Sequence, residues 1–256
     1  MGTRTDRNSQ PALQDRHARG QLLWAGVILM LVARSVFAVL AQGLVAWICA
    51  AQGSASPWQD AGAWFPVYAT LIDLGCLALL WWLLRREGLS FPNLIGIDRK
   101  HLGRDILLGI ALIPPCLLFI FGGVAVSSWL IFGTVGGPQF SEPLPLLASL
   151  YALLIWPLVW AFTEQMTYNG YLVPRLRVLS GNTAFAILVV ALVWAGQHAF
   201  MPLTLDPAFM LHRSLSSIPN SLFMILVYLR LQRLLPLIVA HWLMDGASVL
   251  LPLLQQ

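Results

Sequence analysis

The sequence predicts an all-α, polytopic bundle of transmembrane helices, on three observations. Of 256 residues, 58% are hydrophobic and only 10% charged, where a soluble domain carries about a quarter charged residues. The apolar residues run together in stretches near the ~20 residues that a helix needs to cross a bilayer. Thirteen of the fifteen Lys and Arg residues fall between those stretches, in four clusters.

In chain order, segment 1–20, with Arg4, Arg7, Arg16 and Arg19, reads as a disordered basic cytoplasmic tail. Leu22–Ala50 far exceeds the ~7–15 apolar residues of a cleavable signal and reads as an uncleaved first span. Trp64–Leu84 follows, then a basic loop over 87–104 that Pro92 and Gly96 keep from forming a helix. Ile106–Phe132 is the third span. Leu144–Ala161, continuing toward Leu179, forms a helical hairpin with Ala184–Phe200 about the turn Ser180-Gly181-Asn182. Leu215–Leu229 looks short or tilted for a span, and Leu234–Leu254 closes the chain.

About seven spans with a cytoplasmic N-terminus put all four basic clusters on the inner face. They are the tail, Arg85 to Arg104, Arg175/Arg177 and Arg230/Arg233. The chain is therefore expected in the cell membrane as a multi-pass domain over 21–256, in contact with lipid. Its basic residues are spread over separate loops and form no single stripe, which argues against a nucleic-acid partner. Cys49, Cys76 and Cys116 sit singly in apolar runs and read as packing residues, not as disulfides or zinc ligands.

An ionisable group at membrane depth costs roughly 2.5–3.5 kcal/mol, so each one is a functional candidate. Glu164, His198, His241 and Asp245 are such groups. Glu164 lies sixteen residues before Ser180 and His198 seventeen after Gly181, so both stand about 24–26 Å from the hairpin turn. His241 and Asp245 enter about 12 and 18 Å past Arg233 and share one helix face. Three helices thus bring four groups to one level, expected in the cytoplasmic half of the bilayer, with Gln165 and Asn169 as polar support beside Glu164.

This set suits hydrolysis. A carboxylate beside a histidine activates water as a general base, and a second histidine with a polar neighbour stabilises an oxyanion. Zinc is the second-ranked reading, because the candidate ligands come from three helices without a close-spaced pair; no cofactor and no metal site are expected. Either histidine alone would equally suit an interhelical hydrogen bond. Arg34 and Asp73, both about 17 Å from the inner face, read as a structural ion pair.

At these residues the sequence resembles the CAAX protease and bacteriocin-processing (CPBP or Abi) family of intramembrane endopeptidases. The family's Glu-Glu-x-x-x-Arg is matched by Glu164-Gln165-Met-Thr-Tyr-Asn169, its Phe-x-x-x-His by Trp194-Ala-Gly-Gln-His198, and its His-x-x-x-Asn/Asp by His241-Trp-Leu-Met-Asp245. The motif-bearing core covers about 145–250. The resemblance implies a cavity in which Glu164 and His198 activate water and His241 with Asp245 stabilises the oxyanion. It also implies a peptide or protein substrate, lipid-modified ones included. Gln165 and Asn169 depart from the family's charged pair, so an inactive member serving as a membrane scaffold or immunity protein is the alternative. A proton-coupled transporter ranks lower, since no inverted repeat is present.

Overall fold

The computed structural model describes residues 8–97, 99–136 and 144–253, with no strand among them. The helices are α1 (Gln10–Ala18), α2 (Trp24–Ala51), α3 (Pro57–Ala63), α4 (Phe65–Arg86), α5 (Phe91–Ile95), α6 (Leu102–Ala111) and α7 (Ile113–Phe132). They continue as α8 (Leu146–Leu154), α9 (Trp156–Glu164), α10 (Val173–Ser180), α11 (Thr183–Gly196), α12 (Pro207–Leu231) and α13 (Leu235–Leu253). A π-helical stretch, Gln165–Leu172, joins α9 to α10, and a 3₁₀ turn, Gln197–Phe200, ends α11.

Among the described residues six segments are long and apolar enough to cross a membrane: Trp24–Ala51, Phe65–Arg86, Leu102–Phe132, Leu146–Ser180, Thr183–Phe200 and Pro207–Leu231. The expected seventh, Leu235–Leu250, is apolar but shorter. Proline at the first turns of α7 and α9 separates them from α6 and α8 without ending the span. The sixth segment, expected short, is a full 25 residues. Its first two turns carry His212, Arg213 and Ser214, which lower its hydropathy without interrupting the helix. Trp47, Leu118 and Leu147 stand exposed on the outside, as a lipid-facing surface requires.

The span helices pack α2 on α4, α12 between α7 and α11, and α13 against α6 and α9. Two glycines permit close approach. A Cβ at Gly123 of α7 would lie 2.2 Å from the Ser216 carbonyl oxygen on α12, and one at Gly109 of α6 would lie 2.8 Å from the Pro236 carbonyl oxygen on α13. Small residues at such crossings let helix backbones meet where no hydrophobic force drives association in lipid.

The basic end of the bundle is tied together by buried polar groups. Arg175 is fully buried and donates from Nε to both Glu87 oxygens at 3.0 Å, and from Nη1 to Asn8 Oδ1 at 3.1 Å. Asn8 Nδ2 donates to the Gly170 carbonyl at 3.0 Å, and Arg16 Nε to the Glu87 carbonyl at 3.0 Å. Where composition predicts a disordered tail, α1 therefore docks on α10 through buried Leu13 and these bonds; residues 1–7 lie outside the described residues. Arg233 pairs with Asp105 at the same end. Arg85 and Arg86 cover the rings of Trp81 and Trp82 at 5.1 and 4.8 Å, as interface anchors do.

Candidate active site

Glu164 closes α9, midway along the segment Leu146–Ser180, and is 1% exposed. Its carboxylate is the meeting point of three helices and a 3₁₀ turn. Trp194 Nε1 on α11 donates to Oε2 at 2.7 Å, and Gln197 Nε2 donates to Oε1 at 2.5 Å. Arg34 Nη2, from α2, stands 3.3 Å from Oε1. His241 Nε2, from α13, lies 3.7 Å from Oε2 and 3.4 Å from Asp245 Oδ2. A carboxylate has about four acceptor positions, so Oε2 keeps one free on the His241 side.

Arg34 was expected to pair with Asp73 as a structural element apart from the site. The pair exists, Nη1 to Asp73 Oδ1 at 2.7 Å with both side chains fully buried. It is not apart from the site. Arg34 Nε also donates to Gln197 Oε1 at 2.9 Å, and its guanidinium lies over the Trp160 ring at 4.2 Å. Gln197 Oε1 accepts a further bond from the Tyr168 hydroxyl at 2.7 Å, and Tyr168 stacks on Trp194 at 4.8 Å. Asp73, Arg34 and Gln197 thus form a fixed cradle under Glu164. The cation beside Glu164 is Arg34 of α2, while Asn169 within the motif is neutral.

The two departures from the motif have their own arrangement. Asn169 Nδ2 donates to Gln165 Oε1 at 2.7 Å, which turns the Gln165 amide nitrogen toward His241 Nδ1 at 3.2 Å. An amide nitrogen only donates, so Nδ1 is the acceptor and the imidazole proton resides on Nε2. That N–H points into the space between Glu164 and Asp245. His198 has the opposite tautomer. Its Nδ1 faces the carbonyls of Trp194 and Ala195 at 3.0 and 3.2 Å, which only accept, so Nε2 is left as a free acceptor.

Glu164, His198, His241 and Asp245 all line one cavity of about 560 Å³. His198 makes no hydrogen bond to Glu164 and shares the cavity with it. The cavity was expected toward the basic end. Its wall instead includes Ala63 at the end of α3, Phe65 at the start of α4, Pro202 after the 3₁₀ turn, and Arg213 near the start of α12, all at the opposite end of the bundle. Leu117, Ile120, Phe121 and Val124 of α7 make its apolar side. Among the described residues no group of three or more His, Cys, Asp or Glu is placed to hold a metal ion. Glu164 already bears a guanidinium, a poor companion for a second cation.

Trp194 and Gln197 lie inside the second motif, and only their contacts reveal that they hold Glu164; Tyr168 likewise lies within the first. Comparison with known proteins agrees with the motifs: residues 145–247 match the family model described as type II CAAX prenyl endopeptidase, Rce1-like. The match covers the segment that carries Glu164, His198, His241 and Asp245, and supports a multi-pass membrane protease of the CAAX-endopeptidase type. No curated protein and no solved structure matches.

Proposed function

With the Rce1-like match over residues 145–247 as premise, we propose that the chain is an intramembrane endopeptidase in which Glu164 is the general base. The observation that carries this reading is the single cavity touching all four polar residues, with the Glu164 carboxylate held rigidly in its wall. A scaffold protein would bury the same groups in dry mutual hydrogen bonds. Here His198 Nε2 and Asp245 Oδ2 are left without a hydrogen-bond partner within the site, Asp245 Oδ2 buried as well.

Water enters between Glu164 Oε2 and His198 Nε2, both acceptors, and donates a hydrogen bond to each. Glu164 takes one proton as the water oxygen attacks the substrate carbonyl carbon. The oxygen of the tetrahedral intermediate receives the His241 Nε2–H, whose tautomer is fixed by Gln165 and Asn169. Glu164 then passes its proton to the leaving nitrogen as the C–N bond breaks, giving an amine and a carboxylic acid. The carboxylate must be charged and oriented when the water enters, and Arg34 serves that purpose. The α7 wall takes the apolar part of a peptide or protein substrate, a lipid group included.

The test is hydrolysis by purified protein in lipid nanodiscs, read by mass spectrometry on peptides from membranes of cells with and without the wild type. Glu164→Gln, which keeps the shape but sets an amide N–H against the Trp194 or the Gln197 donor, should accumulate the substrates that the wild type removes.

A further inference from the structure

Arg213 sits near the start of α12 and lines the cavity that holds Glu164. Its Nη2 donates to the Met201 carbonyl at 3.1 Å, while its buried Nε has no hydrogen-bond partner. No carboxylate pairs with it among the described residues, in contrast to Arg34, Arg175 and Arg233. An uncompensated cation at this depth is costly unless something completes it. A planar guanidinium with free donors takes a carboxylate through paired hydrogen bonds.

Resting on the peptidase reading above, we propose that Arg213 is a substrate subsite for a carboxylate carried by the peptide. Arg213 and His198 line the same cavity, so the carboxylate belongs within a few residues of the scissile bond. A cavity of about 560 Å³ accommodates a short segment and no more. Of the two acids in the cavity, Glu164 is matched by Arg34 and Asp245 lies against His241, which leaves Arg213 as the cation available to an incoming anion. The carboxylate comes either from the peptide's C-terminus or from an Asp or Glu side chain.

Matched hydrophobic octapeptides separate these sources. One pair ends in a free acid or a carboxamide, and the other carries an internal Asp or Asn with an amidated end. Their dissociation constants are measured on Glu164→Gln, alone and combined with Arg213→Gln or Arg213→Lys, in nanodiscs of neutral lipid. Cleavage of the same peptides by the wild type is followed in parallel. The acid member of one pair should bind at least about tenfold tighter, the preference should fall to near unity with Arg213→Gln, and Arg213→Lys should keep part of it. Equal binding of both members, no peptide binding at all, or a preference that survives Arg213→Gln overturns the subsite, and so does Arg213-dependent binding of phosphatidylglycerol alone. An Arg213-dependent preference without cleavage keeps the subsite and removes the peptidase; cleavage without the preference does the reverse.

Discussion

Arg34 of α2 and Glu164 of α9 face each other at 3.3 Å in the centre of the bundle, 130 residues apart in sequence and both fully enclosed. Their contact joins the first span to the motif-bearing segment that the family match covers. It offers a physical account of how a chain with neutral Gln165 and Asn169 beside Glu164 keeps a carboxylate in its core: the counter-charge comes from another helix.

Removing that counter-charge strands two buried carboxylates. Arg34→Ala should cost about 3–5 kcal/mol, the range for breaking a buried ion pair from one side. Asp73→Asn should cost less, since an amide still accepts from Arg34. Adding Glu164→Gln and Asp73→Asn to Arg34→Ala should recover part of the loss. Thermal unfolding in detergent measures all of these, and strictly additive losses would remove the coupling.

Asn169 acts on His241 through Gln165 alone. Asn169→Ala should leave the fold intact, free the Gln165 amide to turn over, and lose control of the His241 tautomer. The expected result is a fall of about tenfold or more in kcat with KM little changed, since only the transition state gains the Nε2–H bond. A change confined to KM would contradict the role assigned to His241.

Asp245 stands 3.4 Å from His241 Nε2 without a hydrogen bond of its own to Oδ2. Asp245→Asn preserves a polar group one turn from His241 and should be mild, whereas Asp245→Leu should lower kcat more strongly. Equal losses would mean that the charge itself is required.

The crossing of α7 and α12 forms one wall of the cavity, and Gly123 permits it. Gly123→Ala should destabilise by about 1–3 kcal/mol through overpacking against the Ser216 carbonyl. Gly122→Ala, with nothing within 4 Å, should be nearly silent. Melting curves of the two variants compare them directly.

The bundle was legible because lipid demands apolar runs that composition cannot hide, and the four polar residues that line the cavity because charge at depth is conspicuous. Helical rise gives depth but not direction around the axis. Arg34 and Asp73 could therefore be set at one level, while Glu164 as the third member emerged only from the packing. Gln197 was in plain view beside His198, yet glutamine carries no charge to draw notice. The polar first turns of α12 made that span read short, although their Arg213 and Ser216 turn inward to the cavity. The docking of α1 rests on Asn8 and Leu13 meeting α10, a contact between distant segments that local composition cannot express.

The most direct measurement compares wild type and Glu164→Gln as purified proteins in nanodiscs, on a peptide the wild type cleaves, with and without a strong chelator. Water activation by Glu164 predicts a drop of about 10²–10⁴-fold in a variant that is still folded at the assay temperature, and no effect of the chelator on the wild type. Activity that survives Glu164→Gln contradicts the account. So does wild-type activity that the chelator abolishes and Zn²⁺ restores, which would make Glu164 a metal ligand.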